Sequence, residues 1–179
     1  MVKELLARDP GALALSTSAT TRPPRAAEVH GRDYFFVSTD QFEQMVDEGT
    51  MLEWASVFDH FYGTPADDVQ TQRNSGRDVI LEIDVQGAQQ VHDRVPEAVL
   101  ILLTPPSMDE LARRLRGRGT ESEEKIARRL DEAQRELSTA SWFNHVIVNE
   151  DLERTVSEVA AIIEEARSAS ANHREDPSS

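Results

Sequence analysis

The chain has 179 residues and a mass of 20.0 kDa, the length of one ordinary domain, and can bury roughly 70% of its unfolded surface without disulfide or metal staples. Asp and Glu number 33 against 19 Lys and Arg, a formal charge of −14, which would repel a phosphodiester backbone and argues against general nucleic-acid binding. The absence of cysteine excludes disulfides, thiolate metal sites and cysteine nucleophiles. No apolar run approaches the ~20 residues of a membrane span, and the charged start (Lys3, Glu4, Arg8, Asp9) has no signal-peptide stretch. A soluble, cytoplasmic, acidic domain with no nucleic-acid or membrane partner is expected.

Taken in chain order, residues 3–8 end a helix closed by Asp9-Pro10-Gly11, residues 13–18 form a short strand, and residues 21–31 form a loop stiffened by Pro23 and Pro24. Residues 34–37 are a second strand. Ser38 then caps a helix, with Gln41 at the capping-box position and Gly49 just past its end. Residues 51–58 read as a strand, 62–65 as a turn, and Pro65 opens a helix that ends near Gly76. The nearly continuous apolar segments 78–84 and 98–104 predict strands buried on both faces, with a helix over 87–93 between them. Helices follow over 107–116 and 122–137, separated by Gly117-Arg118-Gly119. A strand over 145–148, a helix over 151–169 and a polar tail complete the chain.

Strands alternating with helices predict an α/β fold with a parallel sheet flanked by helices, whose ligand lies beyond the carboxyl ends of the strands. Glu82 and Asp84 end one such strand and are expected to face that crevice. The segment 18–77, with its own short strands and helices, reads as a small lobe inserted in the core.

The charge is unevenly placed. Residues 107–135 hold eight basic side chains against seven acidic ones, and 17 of all 19 basic residues are Arg, the side chain that grips phosphate bidentately and stays charged when desolvated. The cluster fits a phosphate-bearing small ligand; it fits equally a solvated helix face laced with i,i+4 ion pairs. In Ser16–Arg25 the hydroxyls of Ser18, Thr20 and Thr21 precede Arg22 and Arg25, whose forks could share one phosphate, or the stretch is a proline-rich surface turn. The two tyrosines, Tyr34 and Tyr62, each adjoin a glycine-containing turn and can donate to phosphate oxygens. Glu53, within Leu52-Glu53-Trp54, can accept two parallel hydrogen bonds from the N1–H and N2–H₂ edge of guanine, and Thr64 can donate to guanine O6. By itself Glu53 is equally an exposed strand carboxylate. The five histidines have no metal-ligand spacing, and Trp54 and Trp142 read as core.

The segments SATTRPPR (18–25), GRDYFFVS (31–38), LEWA (52–55), YGTP (62–65), LEIDVQGAQQV (81–91), LRGRGTESEEKIARRL (115–130) and VIVNEDLE (146–153) together resemble guanylate kinase, in order and spacing, over about residues 1–168. The resemblance implies a P-loop kinase-like α/β core over 1–168 with a GMP-binding lobe (18–77), a helical lid (113–129) and a disordered tail (169–179). It implies reversible phosphoryl transfer from ATP to GMP in purine nucleotide metabolism, with Mg²⁺ accompanying ATP. Arg22, Arg25, Tyr34 and Tyr62 would hold the GMP phosphate. Ser18, Glu53 and Thr64 would read guanine, and Glu82 and Asp84 would line the acceptor site. Arg114, Arg118 and Arg129 would clamp the ATP phosphates as catalytic groups, Gly117 and Gly119 serving as lid hinges, and Asn149 would lie by the adenine. The likeness leaves the oligomeric state open.

The chain departs from this family at its start. No Gly-Lys pair occurs anywhere in it, so the glycine-rich phosphate loop and the strand before it have no counterpart. The expectations are an N-terminally truncated core, weak GMP binding and poor turnover with ATP. A non-catalytic guanylate-kinase-like binding module and another nucleoside-monophosphate kinase are the competing readings. Ala26-Ala27, where Pro-Gly is usual, is a smaller departure.

Overall fold

The computed structural model describes residues 1–57, 59–117, 122–137 and 140–175. The chain divides into two compact units, one of residues 2–98 and the other of residues 99–179 with Met1.

The first unit begins with helix α1 (Val2–Arg8), which buries Val2 and Leu5. Strand β1 (Leu13–Leu15) follows, then β2 (Ala19–Thr20), β3 (Phe35–Phe36), α2 (Thr39–Asp47), β4 (Met51–Val57), β5 (His60–Pro65), α3 (Ala66–Asn74), β6 (Asp78–Ile80) and α4 (Val85–Arg94). β1 and β6 pair in parallel, Leu13 opposite Asp78 and Leu15 opposite Ile80. Four strands form a second sheet in the order β3-β2-β5-β4, its β4–β5 and β5–β2 pairings antiparallel and β2–β3 parallel.

This four-stranded sheet has two distinct faces, because successive side chains on a strand alternate. On one face Ala19, Phe42 and Met51 are buried, with Phe35, Trp54 and Phe61 packed around them. Phe42, from α2, stacks on Phe61 at 5.4 Å and 18°. Ser38 fixes the start of α2 through the expected capping box. Gly63 allows the close approach: a Cβ there would come within 2.8 Å of the Glu53 carbonyl, 2.9 Å of Trp54 Cβ and 3.2 Å of Phe42. The register shifts between Met51 and Glu53. This irregularity puts Met51 on the apolar face with Trp54 while Glu53 takes the opposite face, the re-aiming of a side chain that bulges produce.

The second unit contains β7 (Ile101–Thr104), α5 (Met108–Gly117), α6 (Glu123–Leu137), a 3₁₀ turn at Ala140–Trp142, β8 (His145–Val148) and α7 (Leu152–Glu175). β7 and β8 pair in parallel from Ile101–His145 to Thr104–Val148. Among the described residues no helix is long and apolar enough to cross a membrane.

The α/β class with parallel strand pairs is as expected, and several boundaries differ. Tyr62-Gly63-Thr64-Pro65 is strand rather than turn, because residues 60–65 pair with both β4 and β2. The strand expected over 78–84 ends at Ile80, and its residues are only partly buried, as are Ile101, Leu102 and Leu103. Among the described residues each of these strands has one neighbour instead of two, and its side chains retain access to solvent. α7 runs to Glu175, past the expected end at Ala169 and into the segment expected to be a disordered tail.

Phe42 of α2 is 1% exposed and packs against the strand layer. Phe42→Ala is expected to destabilise this unit by about 3–5 kcal/mol, read as a lower urea midpoint in an unfolding curve followed by Trp54 fluorescence.

Candidate functional site

The face of the four-stranded sheet opposite Phe42 borders a cavity of about 290 Å³ within the first unit. Three parts of the chain reach it for separate reasons. The parallel strands β1 and β6 end beside it, bringing Ser16 and Ser18 from one and Glu82 and Asp84 from the other, as the carboxyl-end rule leads one to expect. The bulged β4 supplies Glu53 and Ala55. The loop after Gly31 supplies Tyr34, opposite Tyr62 of β5.

Glu53 is the most buried acid of the site, at 3% exposure. Its cross-strand partner is Thr64, and such partners share a face at short range. Thr64 Oγ1 accordingly donates to Glu53 Oε1 at 2.5 Å. That hydroxyl has one proton, so the expected donation to guanine O6 competes with this bond. Burial raises the Glu53 pKa above its ordinary value of 4.5, the Asp84 charge raises it further, and Thr64 and Arg94 oppose the rise. Asp84 caps α4, its Oδ1 accepting from the Gly87 N–H at 2.8 Å.

Beside Tyr34, Arg22 is held from several sides. Its Nη2 donates to Glu28 Oε1 at 2.9 Å and its Nη1 to the Pro23 carbonyl at 2.8 Å. The guanidinium lies 5.5 Å from the Tyr34 ring centre and 5.8 Å from that of Phe36, within cation–π range. The second Glu28 oxygen accepts from the Arg25 N–H at 2.7 Å, so one carboxylate closes the loop 22–28. Hydrogen bonding to Glu28 raises the Arg22 pKa, and Arg22 in turn lowers that of Glu28, followed by the Arg25 N–H. Tyr34 and Tyr62 meet edge to face at 6.2 Å, and burial raises the Tyr34 pKa. Arg25 itself is exposed.

The structure thus gathers Ser18, Arg22, Tyr34, Glu53, Tyr62, Thr64, Glu82 and Asp84 around one part of the first unit. Glu28, Gly87 and Gln90 were not singled out from the sequence. A carboxylate six residues from Arg22 is too common a spacing to signal its partner. The spacing of Gly87 and Gln90 marks a helical face without saying which strand that face meets.

The other expected residues belong to the second unit. Arg114 Nε donates to Glu110 at 2.7 Å and its Nη1 to the Asn149 carbonyl at 2.9 Å, so the helix carrying Arg114 and the end of β8 are tied together. Glu110 also takes both nitrogen contacts of Arg113 at 2.7 Å, and its pKa is lowered to about 2, first by Arg113 and then by Arg114. Arg116 pairs with Glu123 across the break between α5 and α6. The ion-paired helix face therefore describes part of the arginine cluster. Asn149 Oδ1 accepts from Thr155 Oγ1 at 3.3 Å. Arg129 lies on α6, while Arg118 and Gly119 lie outside the described residues. Among the described residues no group of three or more His, Asp or Glu could hold a metal ion.

A buried carboxylate lining a cavity, and a guanidinium over the ring of Tyr34, which lines the same cavity, suit a ligand with an N–H-rich edge and an anionic group, the features of a nucleotide-binding protein. The guanylate kinase family model matches residues 1–166. The chain is 51% identical to a guanylate kinase from Caldanaerobacter subterraneus subsp. tengcongensis over 84% of its own length and 73% of that protein's. It is 48% identical to a guanylate kinase from Neisseria meningitidis serogroup A, over 93% of this chain and 81% of that one. The crystal structure of guanylate kinase from Anaplasma phagocytophilum superposes with a TM-score of 0.75 at 34% identity, covering 92% of this chain and 79% of that chain. The chain belongs to the guanylate kinase family.

Because the Glu53 carboxyl is raised in the folded state, the folded chain holds its proton more tightly than the unfolded chain does. Stability contributed by this group therefore falls as pH rises through a window opening at about 4.5. Glu53→Gln is expected to flatten that fall, and an unchanged pH dependence of the urea midpoint would remove the basis for it.

Proposed function

We propose that this chain acts as a guanylate kinase, transferring a phosphoryl group between ATP and GMP, and that the cavity of the first unit is its GMP site. The observation that carries the reading is the placement of Glu53: a buried carboxylate, its orientation held by Thr64, facing a cavity that Tyr34 also lines, with the Arg22 guanidinium over the Tyr34 ring. An ionised carboxylate accepts from both N1–H and N2–H₂ of guanine, whereas adenine presents an unprotonated N1 there. Arg22, with Tyr34 and Tyr62, supplies the charge and donors for a phosphate, and Arg25 lies on the same loop. Ser18 adds a hydroxyl beside the base, and Glu82 and Asp84 border the end from which the acceptor oxygen would be approached.

Transfer between two polyanions depends on positioning and on cations that spread the developing charge. In this reading Arg114, Arg118 and Arg129 serve the ATP side with Asn149, and Arg114 reaches it already oriented by Glu110. Mg²⁺ enters with ATP as part of that substrate. The relatives from Caldanaerobacter, Neisseria and Shouchella are each named guanylate kinase, and nothing among them favours a non-catalytic module. A cytoplasmic place in purine nucleotide metabolism follows from the same reading.

Calorimetry with GMP and AMP tests it: one saturable GMP site is expected, with AMP weaker by at least roughly tenfold, and equal affinities would overturn the assignment of Glu53. The ends of the ligand separate by variant. Each charge-assisted hydrogen bond is worth about 1.5–3 kcal/mol, so Arg22→Ala should weaken GMP roughly ten- to hundredfold while leaving guanosine nearly unchanged. Glu53→Ala should weaken both. The transfer step is read as GMP-dependent ADP formation in a coupled assay; ADP formed with AMP but not GMP would make the chain a different nucleotide kinase.

A further inference from the structure

Helix α4 meets β4 through residues at helical spacing, Gly87, Gln90 and Arg94 (i, i+3, i+7), which lie along one face. β4 is an edge strand of its sheet, and its outer backbone groups need partners. Side chains of α4 supply them. Arg94 Nη1 donates to the carbonyls of Met51 and Leu52 at 2.9 and 2.7 Å, at the register shift. Gln90 embraces the next peptide units: the Trp54 N–H donates to its Oε1 at 3.2 Å, and its Nε2 donates to the Trp54 carbonyl at 2.6 Å. A primary amide has the donor and acceptor of a peptide group, so Gln90 acts at this level as a neighbouring strand would.

Gly87 faces the side chain of Glu53, between these anchor points and the helix cap. A Cβ at position 87 would overlap Glu53 Oε2, and it would sit 3.1 Å from Glu53 Cδ and 3.3 Å from Ile83 Cβ. Gly87 has no positive φ, so its backbone conformation does not call for glycine, and glycine is a poorer helix former than alanine. The feature that needs a missing side chain is the carboxylate. Thr64 holds Oε1 from the strand side, and the Gly87 backbone borders Oε2 from the helix side.

We propose that Gly87 is a specificity-determining position for guanine: its bare Cα forms the slot in which the Glu53 carboxylate sits, and Gln90 and Arg94 hold β4 at the matching height. Discrimination of the base then depends on α4 as much as on the strand that carries the carboxylate. The inference rests on Glu53 as the base reader and adds the group that sets its depth. Gly87, Gln90 and Arg94 are positioning residues, acting through Glu53.

A double-mutant cycle on the full chain tests this, with GMP and IMP as probes, because IMP lacks the 2-amino group and so loses one of the two donors. Gly87→Ala is expected to weaken GMP at least tenfold and IMP less, so that the GMP-to-IMP preference collapses. In a Glu53→Ala background the oxygen that blocks the Cβ is gone, and adding Gly87→Ala should change GMP affinity less than twofold without lowering the melting temperature. Fully additive effects would place the action of Gly87 elsewhere and overturn the proposal. If Gly87→Ala fails to fold while the double variant folds, the steric slot is established, and Gln90→Leu decides specificity. That variant is expected to lose GMP-to-IMP preference, whereas a lower melting temperature with unchanged preference would overturn the positioning role. A wild-type chain without preference for GMP over AMP would sink the reading of Glu53; a wild-type preference that Gly87→Ala leaves intact would sink this one.

Discussion

Taking a carboxylate out of water is costly unless the fold gives it partners and a reason to be there. Glu53 meets both conditions, and much of the first unit can be understood as the consequence. The strand that carries it is bulged so that its neighbour Met51 joins the apolar face while Glu53 faces the cavity. Its cross-strand partner is a threonine that donates to it. The helix packed against it carries, in its first turn, a glycine where any side chain would displace it. Burial raises its pKa, which disfavours the ionised form, and N–H donors brought beside the carboxylate would favour it.

The loop 22–28 handles charge in another way. Arg22 keeps its charge under partial burial because Glu28 pairs with it and two rings stack against it. Stacking and the Pro23 carbonyl fix the plane of the guanidinium, and a fixed plane loses less side-chain entropy when an anion arrives. The acidic excess of the chain and its ability to hold an anion are thus compatible, since the relevant field is local and set by a few oriented groups.

The second unit shows the same economy with arginine. Sequence spacing left two uses for the cluster over 107–135, anion binding and helix-face ion pairing. Glu110 takes Arg113 and Arg114, and Glu123 takes Arg116, so pairing is present. For Arg114 pairing does not exclude a role toward ATP: the bonds to Glu110 and to the Asn149 carbonyl orient the guanidinium and tie α5 to the end of β8.

The order of helices and strands, the capping box at Ser38, the glycines that end α2 and α3, and the family itself were legible in the sequence, because each rests on local propensity or on motifs a few residues long. That Ser18, Tyr34, Glu53, Tyr62, Glu82 and Asp84 belong together was legible too, carried by the resemblance, and they line one cavity. Tertiary structure decided the rest. Strand 60–65 reads locally as a Tyr-Gly-Thr-Pro turn, and it becomes a strand because β2 and β4 both pair with it. The bond that gives Thr64's proton to Glu53 depends on cross-strand register, which no spacing along the chain encodes. Glu28 reaches Arg22 only through the closed loop, and Gly87 owes its identity to a side chain 34 positions earlier in the sequence. Local sequence determined which groups were available; long-range register and packing determined which of them meet.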